Sequence, residues 1–196
     1  MINIAVFASG EGTNAENLFR YFSNSTTVKI KLVVTNNEHA GIVKKAEIFR
    51  KNIQIISRQT LEKYPLQFVE FLKSEKVDLI VLAGFLLKVP KELISAFPSR
   101  ILNIHPSLLP KFGGKGMYGI NVHKAVLDAG EKESGISIHF VNEHYDEGEI
   151  FLQKSCQIDE NETPDSLAEK IKKLEHDCFP LAVEQVVQRI QQRTNP

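Results

Sequence analysis

Apolar residues along this chain repeat with two periods, and the periods alternate. Short, mostly apolar runs at 2–7, 29–34, 53–56 and 77–83 read as strands, each followed by small or polar residues such as Ala8-Ser9-Gly10 or Thr35-Asn36-Asn37. Between them apolar residues recur at helical spacing. Ala15, Leu18, Phe19 and Phe22 predict a helix over 14–21, and 41–50 reads as a second. Leu66, Val69, Phe71 and Leu72 predict a third, starting near Pro65, where proline suits the first turn. Within 77–83 only Asp78 is polar, the mark of a strand buried on both faces. A helical turn or two follows Pro90, through Leu93, Ile94 and Phe97, and another strand begins at Ile101. Such strand–helix alternation implies a doubly wound, Rossmann-like parallel sheet.

The second half changes character. A helix is expected over 121–127 and strands over 134–141 and 149–158, which form an antiparallel pair joined by the loop 142–148. A long helix closes the chain, with Thr163 as N-cap and Pro164 at the first position, running to about 192 and bent near Pro180. The expected fold is therefore α/β: a doubly wound, mixed but mostly parallel sheet with an antiparallel C-terminal strand pair and a long C-terminal helix. The 196 residues suit a single domain, with a nucleotide-binding-like half over about 1–100 and a second half over about 101–196.

One stretch carries the clearest chemistry. Leu102-Asn103-Ile104-His105-Pro106 ends a strand, and alternation puts Asn103 and His105 on the same face. An amide donor and a titratable imidazole thus meet at a strand's C-terminal end, where open α/β sheets bind ligands. A hydrogen-bonded polar pair ending a strand is the structural alternative.

Composition narrows the classes. Net charge is zero, from 24 basic and 24 acidic residues, so no global field attracts nucleic acid or an anionic membrane. Two cysteines, Cys156 and Cys178, are too few for a disulfide framework or a Cys-x-x-Cys metal site, and read as free buried thiols. The N-terminus lacks a signal peptide's basic region and no run approaches a membrane span, so a cytoplasmic protein is expected.

Two further stretches invite a function. Ser9-Gly10-Glu11-Gly12-Thr13-Asn14 joins the first strand to the first helix, as a phosphate-binding turn does. Gly10, Gly12 and Ala15 also fit a loose dinucleotide pattern, but the second strand ends in Thr35-Asn36-Asn37 without the required acidic residue. No lysine of a P-loop follows. Asp146, in a loop, is a turn residue by default; near His105 it would hold the ring's tautomer and favour its charged form. His139, His144 and Asp146 lack a metal-ligand spacing, and no metal is expected. His139 reads as a polar residue near the site or a satisfied strand histidine, and His123 as a surface or supporting residue. Lys170, Lys172, Glu175 and His176 would by themselves be a solvated helix face.

The motifs Asn103-Ile-His105-Pro-Ser-Leu-Leu-Pro110, Ser9-Gly-Glu-Gly-Thr13-Asn14, Val81-Leu-Ala-Gly-Phe85, His139-Phe-Val141 and Asp146-Glu-Gly148, in this order and over nearly the whole chain, together resemble the phosphoribosylglycinamide formyltransferase (GAR transformylase) family of folate-dependent formyltransferases. The resemblance implies transfer of a formyl group from 10-formyltetrahydrofolate to the amine of glycinamide ribonucleotide, a step of purine synthesis, by a monomer or homodimer. It implies Asn103, His105 and Asp146 as catalytic residues. It implies a nucleotide site at Gly12, Thr13, Asn14, Lys172 and Glu175. The folate pocket would use Leu86, Leu87, Lys88, Val89, Asn103 and the loop residues Asn142, Glu143, His144, Tyr145 and Asp146. Two departures stand out. A glycine-rich segment, 113–118, lengthens the chain after Leu108-Leu109-Pro110, and a family arginine at the folate tail has no counterpart, with Leu61 near its place and Arg58 beside it. Formyltransferases of tRNA carry a further RNA-binding domain, and this chain is expected to lack one. A formyltransferase of amino-sugar nucleotides, a non-catalytic nucleotide-binding regulator and a dinucleotide-dependent oxidoreductase are the other readings.

Overall fold

The computed structural model describes residues 1–194. Seven strands form one sheet in the order β3-β2-β1-β4-β5-β6-β7. These are β1 Ile2–Phe7, β2 Val28–Thr35, β3 Asn52–Ile55, β4 Leu79–Leu82, β5 Ile101–His105, β6 Glu133–Phe140 and β7 Ile150–Gln157. The first five run parallel; β6 is antiparallel to β5, and β7 to β6. The expected mixed sheet is therefore observed.

Strand alternation divides the core in two. Ile4, Val6, Leu79, Val81, Leu102 and Ile104 face one side. There they pack on α1 (Thr13–Tyr21), α2 (Gly41–Ile48), α6 (Ile120–Asp128) and α7 (Pro164–Thr194) through residues such as Leu18, Ile42, Val122 and Leu167. Ala5, Phe7, Ile80, Leu82 and Ile101 face the other side. Their partners are α3 (Arg58–Lys63), α4 (Pro65–Ser74) and α5 (Lys91–Ala96), through Leu61, Phe68, Leu72 and Leu93. Beyond α5 this second face is covered by loops, and there β5 and β6 carry polar rather than apolar residues. That change sets the place of the site.

Element ends differ from expectation where backbone geometry intervenes. The second helix stops at Ile48, because Arg50 turns left-handed at φ 52°. The strand expected over 77–83 is trimmed to Leu79–Leu82, with Lys76 at φ 53° ahead of it. Helix α3 was not legible: it is too short to show a period, and rests on Ser57, whose Oγ accepts the Thr60 N–H at 3.0 Å. Thr163 does cap α7, its Oγ1 accepting the Ser166 N–H at 3.1 Å, and Pro180 lies inside that helix. The two cysteines are free but only half-buried, on a strand and a helix at the margin of the first core.

Among the described glycines, the one with least room for a side chain lies where β6 hands over to β7. A Cβ on Gly148 would sit 1.6 Å from the Phe140 carbonyl oxygen and 3.3 Å from His139 Nδ1. Gly10, at the end of β1, has nothing within 4 Å of such a Cβ. Gly148→Ala should therefore cost about 1–3 kcal/mol by overpacking, lowering Tm by roughly 2–4 °C per kcal/mol in a chain of this size. Gly10→Ala should leave Tm within about a degree or two. Thermal unfolding of the two variants side by side checks this, and equal midpoints would refute the packing argument.

Candidate active site

The site starts from strand register. β5 and β6 pair so that Asn103 lies opposite His139 and His105 opposite Ser137, putting four polar side chains on the loop-covered face. His139 is buried, and its Nδ1 donates to the Phe140 carbonyl at 3.0 Å, since a carbonyl only accepts. The neutral ring then takes a hydrogen bond at Nε2 from the Asn103 amide, 3.0 Å away. One amide proton of Asn103 is thereby used and the second is left for a ligand. His105, only 4% exposed, donates from Nε2 to the Phe112 carbonyl at 2.8 Å. In the neutral ring the Nδ1 lone pair consequently faces Asp146, whose Oδ2 is 3.6 Å away.

Serines hold the turn that supplies the Phe112 carbonyl. Ser137 Oγ donates to the Ser107 carbonyl at 2.7 Å and accepts the Leu109 N–H at 2.9 Å. Ser107 Oγ donates to the Lys111 carbonyl at 2.8 Å. The turn after His105 is thus fastened to β6, and it fixes the imidazole's tautomer in return.

Asp146 is reached from the other direction. It sits at φ 57°, a left-handed conformation held by its surroundings. Its Oδ2 accepts the Gly114 N–H at 2.8 Å, and its Oδ1 is 3.6 Å from His139 Nε2. Gly113 packs against it so closely that a Cβ there would lie 3.1 Å from the Asp146 Cβ and 2.6 Å from Leu109 Cδ2. The glycine-rich insertion is therefore a wall of the site, holding the carboxylate through main chain. Burial pushes the Asp146 carboxyl up, but the His139 ring, the His105 ring and the Gly114 N–H outweigh it, and its pKa ends below the usual value. Burial pushes His105 down; Asp146 and the Phe112 carbonyl oppose this only in part, and His139 adds to the lowering. At neutral pH the pair is an ionised carboxylate beside a neutral imidazole.

Beside this pair opens a slot. Leu82, Phe85, Leu87, Val89 and Val141 form its apolar surface, and Asn103, His139 and Asp146 its polar edge. Lys88, Asn142, His144 and Tyr145 complete the lining, with the Lys88 ammonium 5.7 Å over the Tyr145 ring. Two residues expected here lie outside it. Glu143 is not in the lining, and Leu86 is largely exposed, its N–H donating to Ser9 Oγ at 2.9 Å. His105 stands behind Asp146 and does not line the slot. Arg58 points away to Glu62, at 3.7 Å, and Leu61 is a core residue.

The second expected site forms where α1 meets α7. Gly12 caps α1 in the left-handed conformation, and a Cβ there would lie 2.6 Å from Ile42 Cδ1. Thr13 opens the helix, and Asn14 is buried, its Nδ2 donating to Glu175 Oε2 at 2.9 Å. Burial pushes the Glu175 carboxyl up to about 7, against the opposing effects of Asn14 and Lys172. Lys172 is half-exposed, 3.5 Å from Glu169 Oε1. β1 and β5 are separated only by β4, so the loops following them lie roughly 10 Å apart on one sheet edge. The two sites thus lie side by side along the C-terminal edge of the strands, near the point where strand order reverses between β1 and β4.

Sequence reasoning undervalued two histidines. His139 is part of the site, and the signal was its place opposite Asn103 once β6 is paired with β5. His123 is 5% exposed on α6 rather than at the surface, because the apolar face of that short helix includes its position between Val122 and Val126.

Comparison with known proteins identifies the family. A family model described as formyl transferase matches residues 2–183. A chloroplastic phosphoribosylglycinamide formyltransferase of Arabidopsis thaliana is 43% identical over 184 residues, covering 90% of this chain, which spans 62% of that relative's length. The Bacillus subtilis phosphoribosylglycinamide formyltransferase is 34% identical, over 95% of each chain. A crystal structure of the Bacillus halodurans phosphoribosylglycinamide formyltransferase superposes with a TM-score of 0.86 at 32% identity, over 94% of this chain and 95% of the other. Matched by the family model over most of its length, and 34% identical to a relative with which it shares 95% of each chain, the chain belongs to the phosphoribosylglycinamide formyltransferase family.

Proposed function

We propose that this chain acts as one formyltransferase domain, transferring the formyl group of 10-formyltetrahydrofolate to the amine of glycinamide ribonucleotide in the cytoplasm. The observation that carries the reading is two unlike binding surfaces side by side on one sheet edge. An apolar slot edged by Asn103, His139 and Asp146 suits a flat, conjugated ring; a helix start with Asn14 and Glu175 suits a sugar phosphate. The folate donor supplies an activated formyl carbon.

The amine nitrogen bonds to that carbon, the carbon–nitrogen bond to the folate breaks, and one proton passes from the amine to the departing nitrogen. Asn103 donates its free amide proton to the oxygen that gains charge on the way, while His139 keeps that amide in place. The amine's proton passes by way of Asp146, which edges the slot, to His105 Nδ1 behind it, the Nε2–H being committed to the Phe112 carbonyl, and returns by the same path to the departing folate nitrogen. Asp146, ionised at 3.6 Å, balances the imidazolium that forms. Gly12, Thr13 and Asn14 hold the phosphate through main-chain and amide donors, Glu175 accepts from ribose hydroxyls, and Lys172 adds charge. Alignment of the two reactants in the cleft supplies much of the acceleration.

His105→Ala and Asp146→Ala should each lower kcat by on the order of 10²–10⁴, with nucleotide affinity unchanged within a few-fold. Steady-state kinetics with both substrates tests this, and near-normal turnover in both variants sinks the assignment. Absence of formyl transfer together with NAD binding would favour the oxidoreductase reading, and transfer only to an amino-sugar nucleotide the other formyltransferase reading. Asn14→Ala or Lys172→Ala should instead raise the nucleotide KM about tenfold at nearly constant kcat. An unchanged KM argues against a phosphate site at α1. Because the Glu175 carboxyl titrates at about 7, it loses its charge as pH falls through that value, and the nucleotide KM should climb from pH 8 to pH 6. In Glu175→Gln that component disappears; an identical pH profile in both proteins would remove Glu175 from the site.

A further inference from the structure

Ser9 opens the stretch 9–14 that leads into α1, and a phosphate bound there would draw on its donors. Ser9 has two donors, and both are spent. Its N–H donates to the Gly84 carbonyl at 3.0 Å, and its hydroxyl donates to Asn36 Oδ1, an oxygen that only accepts. An ionised phosphate oxygen also only accepts, so Ser9 has nothing to offer it. What the hydroxyl has left is lone pairs, and one of them takes the Leu86 N–H at 2.9 Å. Asn36, just past the end of β2, thus aims the hydroxyl by claiming its proton. Ser9 is 8% exposed, so water competes little for these bonds.

Both bonds reach the wall of the slot. Residues 84–89 belong to no strand or helix, and Phe85, Leu87, Lys88 and Val89 line the slot. Gly84 turns the chain at φ 82°. Among the described residues, the two main-chain hydrogen bonds that fasten this segment to the rest of the fold both end on Ser9. The Gly84 carbonyl belongs to the peptide before Phe85 and the Leu86 N–H to the peptide after it, so Ser9 fixes both peptide planes that flank Phe85. The Phe85 ring then packs edge-on against Phe7, with centroids 5.2 Å apart.

We propose that Ser9 is a positioning residue of the folate slot and not a phosphate ligand. By holding the peptides on either side of Phe85 it sets the slot's wall, and it governs affinity for the folate while the nucleotide is held without it. The slot's assignment to folate comes from the formyl-transfer reading, on which this role rests.

Calorimetric titration of the full chain with tetrahydrofolate and, separately, with glycinamide ribonucleotide separates the possibilities. Ser9→Ala should raise the Kd for tetrahydrofolate about five- to tenfold, through loss of one buried hydrogen bond, and leave the nucleotide Kd within about twofold. Asn36→Ala frees the hydroxyl to turn, and should weaken tetrahydrofolate about two- to threefold with the nucleotide again unchanged. It carries the comparison should Ser9→Ala not fold. In turnover the folate KM should rise at constant nucleotide KM, whereas a generally loosened fold moves both. Equal tetrahydrofolate affinity in wild type and variants overturns the role, and so does a loss of nucleotide affinity as large as that of folate. If the wild-type chain takes up no tetrahydrofolate, the formyl-transfer reading itself fails, and the role of Ser9 with it.

Discussion

Everything in the active site depends on one strand pairing, the antiparallel register of β5 against β6. It places Asn103 against His139 and His105 against Ser137, and each pair then does a different task. In the first, a strand histidine fixes an amide, so that its remaining proton has a direction. In the second, a serine fixes the turn whose carbonyl fixes a histidine. A slip of β6 by one residue would send Ser137 and His139 into the opposite core, where α6 and α7 pack, and leave Asn103 and His105 without these partners. The register is secured by that same core: Leu102, Ile104, Ile136 and Ile138 alternate with the polar set and are buried. Apolar burial on one face of the two strands therefore determines polar geometry on the other.

The electrostatics follow from where the loops lie. His105 is neutral because it is buried under main chain rather than beside water, and Asp146 is ionised because the Gly114 N–H and the two imidazole rings beside it outweigh its burial. Opposite shifts from similar environments separate an acceptor of protons from its counter-charge. The contrast depends on the glycines. A side chain on Gly113 would displace Asp146, and a side chain on Gly148 would displace the Phe140 carbonyl that orients His139. Rigid main chain, with no flexible side chain between, sets both distances.

Much of this was legible in the chain, and the limits have physical causes. The alternation of Leu102, Asn103, Ile104 and His105 announced a two-faced strand end, and the glycines before Thr13 announced a helix start open to a ligand. The antiparallel pair was readable from Ile136, Ser137, Ile138 and His139, but its register was not, since register is a property of two strands and the sequence displays each separately. That is why His139 was left ambiguous. The role of the 113–118 segment was hidden for a related reason: Gly114 acts through its backbone N–H and Gly113 through an absent Cβ, and neither leaves a side-chain signature. His123 was misplaced because nine residues of helix do not resolve which positions complete the buried face.

The placement of the cleft is a consequence of topology acting on chain length. The strand order reverses between β1 and β4, so the connections after these strands diverge and leave an opening at the sheet edge. A helix after β5 would close the second face over it, as α4 and α5 close the face beside β1 and β4. Here the chain after His105 turns back at once through two prolines, and β6 returns antiparallel, which needs no crossover helix. The second face of β5 and β6 is therefore covered by the segments 85–89, 106–114 and 142–148 alone. Loops leave gaps and present main-chain donors where helices would present neither. The reversal of β6 is thus what makes room for a ligand slot and, in the same stroke, supplies the backbone groups that hold Asn103, His105 and Asp146.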